Sequence, residues 1–232
     1  MKINKVTITG PDDKTDILGL MEISADYPFV EWGLLFSASK HGTSRYPSLE
    51  KINELTQIKG LNLSAHLCGW FSRSLVENKQ FSIIDNLDSA FKRVQINYSF
   101  KYKSADLSYF VKYADENPNR AIIFQYNQTN KATIDALPKA DLPTNIHFLY
   151  DSSGGYGKEI SNIGNIIGEN YTGYAGGINT DNISQICAEI TKLGNPADVW
   201  IDMETGARNT MNEFDFKRVE ELLSQANNFI HY

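Results

Sequence analysis

The chain has 232 residues, a hydrophobic fraction of 41%, a charged fraction of 22% and a formal net charge of −6. This composition is typical of a globular protein with a packed core, and the acidic balance argues against broad nucleic-acid binding, which requires a basic face. Two cysteines without a C-x-x-C pair exclude a disulfide framework. With no signal-peptide pattern and no apolar run of about 20 residues, we expect a cytoplasmic protein with no membrane partner.

Short apolar or alternating segments alternate with helix-like segments along the whole chain. The predicted strands are Lys5–Gly10, Val30–Ser37, Leu61–Trp70, Arg93–Ser99, Arg120–Asn127, Ile146–Asp151, Tyr171–Gly176 and Asp198–Glu204. The predicted helices are Thr15–Ala25, Ser48–Ile58, Asp106–Asn117, Thr133–Lys139, Glu159–Gly168, Asp181–Leu193 and Phe214–Phe229. The stretch Ser72–Phe91 is longer than a single helix requires.

Eight strand–helix units favour one architecture. Strands that alternate with helices pair in parallel through right-handed crossovers. Eight such units in a chain somewhat shorter than about 250 residues are typical of a closed (β/α)8, or TIM, barrel. We therefore predict a single α/β barrel domain over residues 1–232, with its functional site at the carboxyl ends of the strands.

Side-chain alternation predicts an unusually polar barrel interior. In the third strand, Ser64, His66 and Cys68 share one face, and in the eighth strand Asp202 and Glu204 do so. The same alternation turns further polar residues inward, namely Thr7, Thr9, Glu31, Gln95, Asn97, Gln125 and Asn127. Barrel interiors are usually dominated by branched apolar residues, so the upper polar layer is predicted to line a ligand site, with an internal hydrogen-bond network as the alternative.

Asp151 ends the sixth predicted strand, directly before a glycine-rich segment. A carboxylate at this place is positioned to act as a general acid or base. The alternative role is to cap a turn.

Glycines also follow the seventh and eighth strands, where Gly176-Gly177 and Thr205-Gly206 occur. Barrels often bind phosphate in these two loops through backbone amides, and glycine lets the backbone approach an anion closely. We therefore predict a phosphate site there. Glu204 would repel such an anion unless Arg208 offsets its charge, or unless Glu204 points inward as a catalytic base.

His66 and Cys68 are further catalytic candidates, although a lone inward histidine is more often structural and a buried cysteine is usually a small hydrophobe. A second hypothesis is that His66 binds a divalent ion together with Asp151, Asp202 or Glu204. No ligand spacing supports that ion, so no metal or cofactor is expected.

Several short motifs, in order along the chain, resemble phosphoribosylanthranilate isomerases. Residues 175–183 (AGGINTDNI) resemble the family's (S/A)GGLxPxNV, and residues 202–206 (DMETG) resemble its eighth-strand DVSSG. The other similar segments are 148–151 (FLYD, family LLD), 154–158 (GGYGK, family GGxGK), 94–97 (VQIN, family VQLH) and 44–46 (SRY, family SxR).

The resemblance implies an isomerase that opens a ribose-phosphate ring and converts an aldose into a ketose. By this resemblance Asp151 is the general acid, Arg45 holds the anthranilate carboxylate, and Gly176, Gly177 and Gly206 hold the phosphate. The family's first strand ends in KICG, whose cysteine is the general base, whereas Thr9 stands at that position here.

Because of this departure, Cys68, His66 or Glu204 is expected to replace the base. Three hypotheses follow: a divergent isomerase-like enzyme acting on a phosphorylated sugar derivative, a metal-assisted epimerase or lyase, and a barrel that binds ligands without catalysis.

Overall fold

The computed structural model describes residues 2–101, 105–137, 142–151, 170–193 and 198–230. Eight parallel strands follow one another in chain order around a closed barrel, and the first strand pairs with the eighth. The predicted (β/α)8 architecture is therefore confirmed. Among the described helices, none has the length and apolar character needed to cross a membrane.

The strands are β1 (Lys2–Thr9), β2 (Val30–Phe36), β3 (Leu63–Leu67), β4 (Phe91–Ile96), β5 (Ala121–Tyr126), β6 (Ile146–Asp151), β7 (Thr172–Ala175) and β8 (Asp198–Met203). The helices of the described residues are α1 (Ile17–Asp26), α2 (Leu49–Thr56), α3 (Trp70–Asn78), α4 (Ser82–Asp85), α5 (Ser108–Glu116), α6 (Lys131–Asp135), α7 (Ile183–Lys192) and α8 (Phe216–Asn227). The long segment between β3 and β4 holds two helices, α3 and α4. The predicted helix Glu159–Gly168 and the glycine-rich residues 152–158 lie outside the described residues.

Local sequence signals start three of the helices. Asp16 accepts a hydrogen bond from the amide of Gly19 at the start of α1, and Ser48 accepts one from Lys51 at the start of α2. Asp215 accepts hydrogen bonds from the amides of two residues in the first turn of α8. Such side chains satisfy amides that have no partner within the helix.

The main hydrophobic core lies between the barrel and its helices. The outward faces of the strands supply residues such as Ile8, Leu34 and Phe148, which are completely buried. Helices contribute residues such as Leu20 and Leu222 to the same cluster. This outer packing leaves the inward strand faces free for polar residues.

The lower part of the barrel interior is a packed charged layer. Arg93 Nη1 lies 2.8 Å from Glu31 Oε1, Lys5 Nζ lies 3.7 Å from Oε2, and the hydroxyl of Thr7 donates to Oε1 at 2.9 Å. The Arg93 guanidinium also stacks 4.1 Å above the buried Trp200 ring. These contacts hold the pKa of Glu31 below its usual value even though burial opposes ionisation. The layer closes the floor beneath the site.

Candidate functional site

A cavity of about 1070 Å³ opens at the carboxyl ends of the strands. Its walls include the strand ends and the loops that follow β2, β7 and β8. All of the polar inward residues of the upper layer border it, namely Thr9, His66, Cys68, Gln95, Asn97, Gln125, Asn127, Asp151, Asp202 and Glu204. A volume of this size is ample for a phosphorylated sugar, since small-molecule sites are typically about 300–1,000 Å³.

Asp202, on the inward face of β8, is the most perturbed acid of the site. Burial raises its pKa to about 7, the nearby carboxylates of Glu31 and Glu204 add to that rise, and a hydrogen bond from Thr9 and the charge of Arg93 oppose it. The Thr9 hydroxyl donates to Asp202 Oδ1 at 2.9 Å. A carboxyl group that titrates near neutrality in a cavity has the properties of a general acid or base.

The sequence suggests a role for Asp202 only as a possible metal ligand. Its inward position was visible in the alternation of β8, but nothing in the sequence predicted its raised pKa. The contact with Thr9 is also informative, because Thr9 occupies the position of the cysteine base in the family that the sequence resembles. A carboxyl group therefore stands directly against that position.

Asp151 and Asp202 lie at the same height on either side of β7. Both are paired in register with Ala175, one from β6 and one from β8. Adjacent strands are about 4.8 Å apart, so the two backbones are separated by roughly 10 Å. Both residues are buried and border the cavity. Two buried carboxyl groups therefore border the same cavity from the strands on either side of β7.

The predicted site residues His66 and Cys68 both border the cavity, but their chemistry is weak. Burial lowers the pKa of His66 to about 4, so the imidazole is neutral, and its Nε2 lies 3.2 Å from Ser64 Oγ. Burial raises the pKa of the Cys68 thiol to about 11, and Asn97 Nδ2 lies 3.2 Å from its sulfur. A protonated thiol is a poor nucleophile and a poor base.

Glu204 is paired with Arg45 and not with Arg208. Arg45 Nη1 lies 2.6 Å from Glu204 Oε1 and 3.2 Å from the hydroxyl of Thr205. Its Nε and Nη2 both donate to Asn212 Oδ1, at 3.0 and 2.6 Å. The backbone of Arg45 has a φ of 73°, a left-handed conformation that is uncommon for residues other than glycine. The loops after β2 and β8 are thus joined through this one side chain.

Arg208 is only 4% exposed and serves the loops around it. Its Nη2 lies 2.7 Å from Asp12 Oδ2, its Nη1 donates to the Gly10 carbonyl at 2.7 Å, and its Nε donates to the Asn212 carbonyl at 2.9 Å. Asp12 in turn accepts a hydrogen bond from the Arg45 amide at 3.0 Å. Arg208 therefore ties together the loops after β1, β2 and β8.

The glycines predicted to hold phosphate lie in two loops that touch. Gly176 and Gly177 have φ values of 124° and 60°, which L-residues rarely adopt. A Cβ atom on Gly206 would lie 2.2 Å from the Ile178 carbonyl oxygen, so only glycine permits this backbone contact. All three glycines, with Thr205, border the cavity.

Arg218, in the first turn of α8, is a cation that sequence reasoning missed. Its Nε donates to the Gly206 carbonyl at 3.3 Å, and the side chain borders the cavity beside the glycine loops. Its Nη groups make no hydrogen bond to the part of the chain that the structure describes. The sequence feature that could have identified Arg218 is its position in the helix after the eighth strand, three residues after the capping Asp215.

Metal-binding geometry is not found in the described ranges. No group of three or more His, Cys, Asp or Glu side chains among them could hold a metal ion. The carboxylates of Glu204 and Asp12 instead form ion pairs with Arg45 and Arg208.

Comparisons with known proteins support a fold and do not show a family. No protein-family model matches the chain, and no curated protein matches it. A solved phosphoribosylanthranilate isomerase from Thermotoga maritima is 16% identical, with a TM-score of 0.59 and coverage of 97% of this chain and 99% of that one. The enzyme from Thermus thermophilus is 14% identical, with a TM-score of 0.57 and coverage of 97% and 98%.

A third structure, a phosphoribosylanthranilate isomerase in complex with reduced 1-(o-carboxyphenylamino)-1-deoxyribulose 5-phosphate, is 16% identical with a TM-score of 0.59 over 97% of this chain and 100% of that one. The protein thus has the fold of these isomerase barrels along nearly its whole length. At such low identity the similarity extends to the fold alone.

Proposed function

We propose that the protein is an isomerase-like enzyme that binds a phosphorylated sugar derivative and converts an aldose into a ketose, with Asp151 as general acid and Asp202 as general base. The observation that carries the proposal is the pair of buried carboxyl groups on either side of β7, directly below the glycine loop that follows this strand. The acid role of Asp151 follows from the family resemblance, and the base role of Asp202 follows from its contact with Thr9.

The reaction requires one proton donor and one proton acceptor. Asp151 donates a proton to the ring oxygen of the sugar as the bond between that oxygen and the anomeric carbon breaks, and the lone pair of the substituent atom on C1 forms a new double bond to C1. Asp202 then removes the proton from C2, so that the C–H electron pair forms the C1–C2 double bond and the electrons of the double bond to the substituent return to the substituent atom. The resulting enol becomes the ketose when C1 takes up a proton and the C2 hydroxyl releases one. A base with a pKa near the working pH is efficient in such a step, and burial of Asp202 supplies that pKa.

The phosphate is proposed to bind between the loops after β7 and β8. The backbones of Gly176, Gly177 and Gly206 allow close approach of an anion. Arg218 supplies the positive charge, and its guanidinium can bind two phosphate oxygens at once. This replaces our expectation for Arg208, whose donors are engaged by Asp12 and by backbone carbonyls.

The decisive experiment is hydrogen exchange at C2. Ribose 5-phosphate is incubated with the protein in D2O, and loss of the C2 proton signal is followed by NMR spectroscopy. We expect exchange with the wild type and a loss of about 10²–10⁴-fold in Asp202→Asn, the usual contribution of a general base. Asp26→Asn, an exposed change on α1, is the matched control and should exchange at the wild-type rate.

The pH dependence separates the two possible roles of Asp202. A base must be ionised, so the exchange rate should fall as the pH decreases below about 7. A rate that instead falls above pH 7 would make Asp202 the acid. Binding of ribose 5-phosphate without exchange at any pH would leave the barrel as a binding protein, and the enzyme proposal would be wrong.

A further inference from the structure

Arg45 is the residue that the family resemblance assigns to the anthranilate carboxylate, yet its guanidinium is already engaged. Nη1 lies 2.6 Å from the Glu204 carboxylate, and Nε and Nη2 both donate to the side chain of Asn212. The left-handed backbone of Arg45 is held by Asp12, which accepts its amide hydrogen at 3.0 Å. A ligand carboxylate would have to displace Glu204 from this arrangement.

Glu204 also makes the surroundings unfavourable for a second carboxylate. It borders the cavity, and its charge raises the pKa of Tyr46 and of Cys68 in addition to the larger effect of burial. The pair of Glu204 with Arg45 is neutral as a unit. An anionic ligand group placed beside it would meet the Glu204 carboxylate together with a cation, Arg45, that this carboxylate already neutralises.

The neighbouring wall over β3 and β4 is built from uncharged hydrogen-bonding groups. Asn97 donates to the sulfur of Cys68, and its Oδ1 accepts from Gln95 Nε2 at 2.9 Å. Because Gln95 uses its Nε2 for this hydrogen bond, its Oε1 is left as an acceptor that has no partner among the described residues, although Gln95 is only 3% exposed. A buried acceptor without a partner costs stability unless a donor reaches it.

We infer that the site takes a phosphorylated sugar whose substituent is uncharged and carries hydrogen-bond donors, and that the Arg45–Glu204 pair excludes the carboxylated, anthranilate-type substituent. The inference rests on the proposed function, because it assumes that a sugar phosphate occupies the cavity. The phosphate end lies at the loops after β7 and β8. In an eight-stranded barrel the wall formed by β3 and β4 is opposite β7 and β8, so the substituent reaches the amide wall. Because β2 adjoins β3, this wall lies beside the loop after β2, from which Arg45 reaches Glu204.

The test uses three ligands that differ in one group. They are the reduced 1-phenylamino-1-deoxyribulose 5-phosphates that carry hydrogen, carboxylate or carboxamide at the ortho position, and binding is measured by calorimetry beside ribose 5-phosphate. With the wild type we expect the carboxamide to bind most tightly and the carboxylate to bind most weakly. Binding of the carboxylate by the wild type that is as tight as or tighter than binding of the carboxamide would overturn the inference.

The variant Glu204→Gln tests whether the charge of Glu204 causes the weak binding of the carboxylate ligand. It removes the negative charge that holds Arg45, so the carboxylate ligand should bind at least tenfold more tightly than it binds the wild type, while the affinity for the uncharged carboxamide ligand, which carries the same phosphate, rises by much less. Glu220→Gln, an exposed change on α8, is the matched control. An unchanged affinity of Glu204→Gln for the carboxylate would also contradict the inference.

The failures of the two proposals are distinguishable. If ribose 5-phosphate binds but the wild type prefers the carboxylate, only the substituent inference is wrong. If neither ribose 5-phosphate nor any of the three ligands binds, the proposed function fails and the inference fails with it. The wild-type ligand series decides the matter even if a variant does not fold.

Discussion

The lower and upper halves of the barrel interior are both polar, but they use polarity differently. In the lower half Glu31 is matched by Arg93 and Lys5, and the layer is filled by Trp200. In the upper half Asp202 has a hydroxyl partner, Thr9, and borders an open cavity. Arg93 and Lys5 consequently hold the pKa of Glu31 below its usual value against the effect of burial, whereas burial raises the pKa of Asp202. The presence of an opposite charge beside a buried carboxyl group, more than polarity itself, therefore distinguishes a structural network from a reactive site.

The largest effect should come from breaking the lower layer. Arg93→Met leaves Glu31 buried with only Lys5 nearby, so the free energy of unfolding should fall by about 3–5 kcal/mol. Urea denaturation measures the change, with the exposed neighbour Lys92→Met as control. A loss below about 1 kcal/mol, the value of a surface pair, would show that the charged layer contributes little.

The second effect concerns Asp202 and has a definite sign. Its folded pKa of about 7 lies above the ordinary value of 3.8, so the unfolded chain ionises first and stability falls as the pH rises between these values. Asp202→Asn should therefore gain stability relative to the wild type between pH 5 and pH 8, by about 2–3 kcal/mol at 1.36 kcal/mol for each pKa unit. Urea denaturation at the two pH values measures it. A pH-independent difference between the two proteins would mean that Asp202 is ionised throughout this range.

Two glycines on inward strand faces allow the packing of the lower and upper halves of the barrel interior to be compared. A Cβ atom on Gly173 would lie 2.1 Å from the Trp200 ring, whereas one on Gly33 would lie 2.4 Å from the Thr9 hydroxyl and 2.9 Å from the His66 ring. The indole is packed in the lower layer, whereas Thr9 and His66 border the cavity. Gly173→Ala should cost about 1–3 kcal/mol and Gly33→Ala less, as measured by chemical denaturation. Equal costs would contradict the view that the upper half is the looser one.

The smallest effect is expected at Cys68. Its raised pKa, about 11, keeps the thiol protonated at pH 8, so Cys68→Ser should change the C2 exchange rate by much less than the roughly 10²-fold that loss of a base would cause. Slow reaction of the native protein with iodoacetamide, compared with the unfolded chain, provides an independent reading. A loss of exchange as large as that of Asp202→Asn would make Cys68 the base.

Local sequence patterns are sufficient to predict the barrel and the set of residues that point into it. The alternation of strands and helices fixed the architecture, and the period of two within each strand placed Thr9, His66, Asp151 and Asp202 at the cavity. These properties are local, because they depend on residues within a few positions of one another.

The pairing of the charged side chains depends on the tertiary structure. Arg45 pairs with Glu204 and Arg208 pairs with Asp12, across 159 and 196 positions of the chain, and no sequence pattern predicts such partners. The raised pKa of Asp202 likewise depends on its burial, which outweighs the hydrogen bond from Thr9 and the charge of Arg93. Loop geometry and desolvation arise only when the barrel closes, so they are properties of the folded chain.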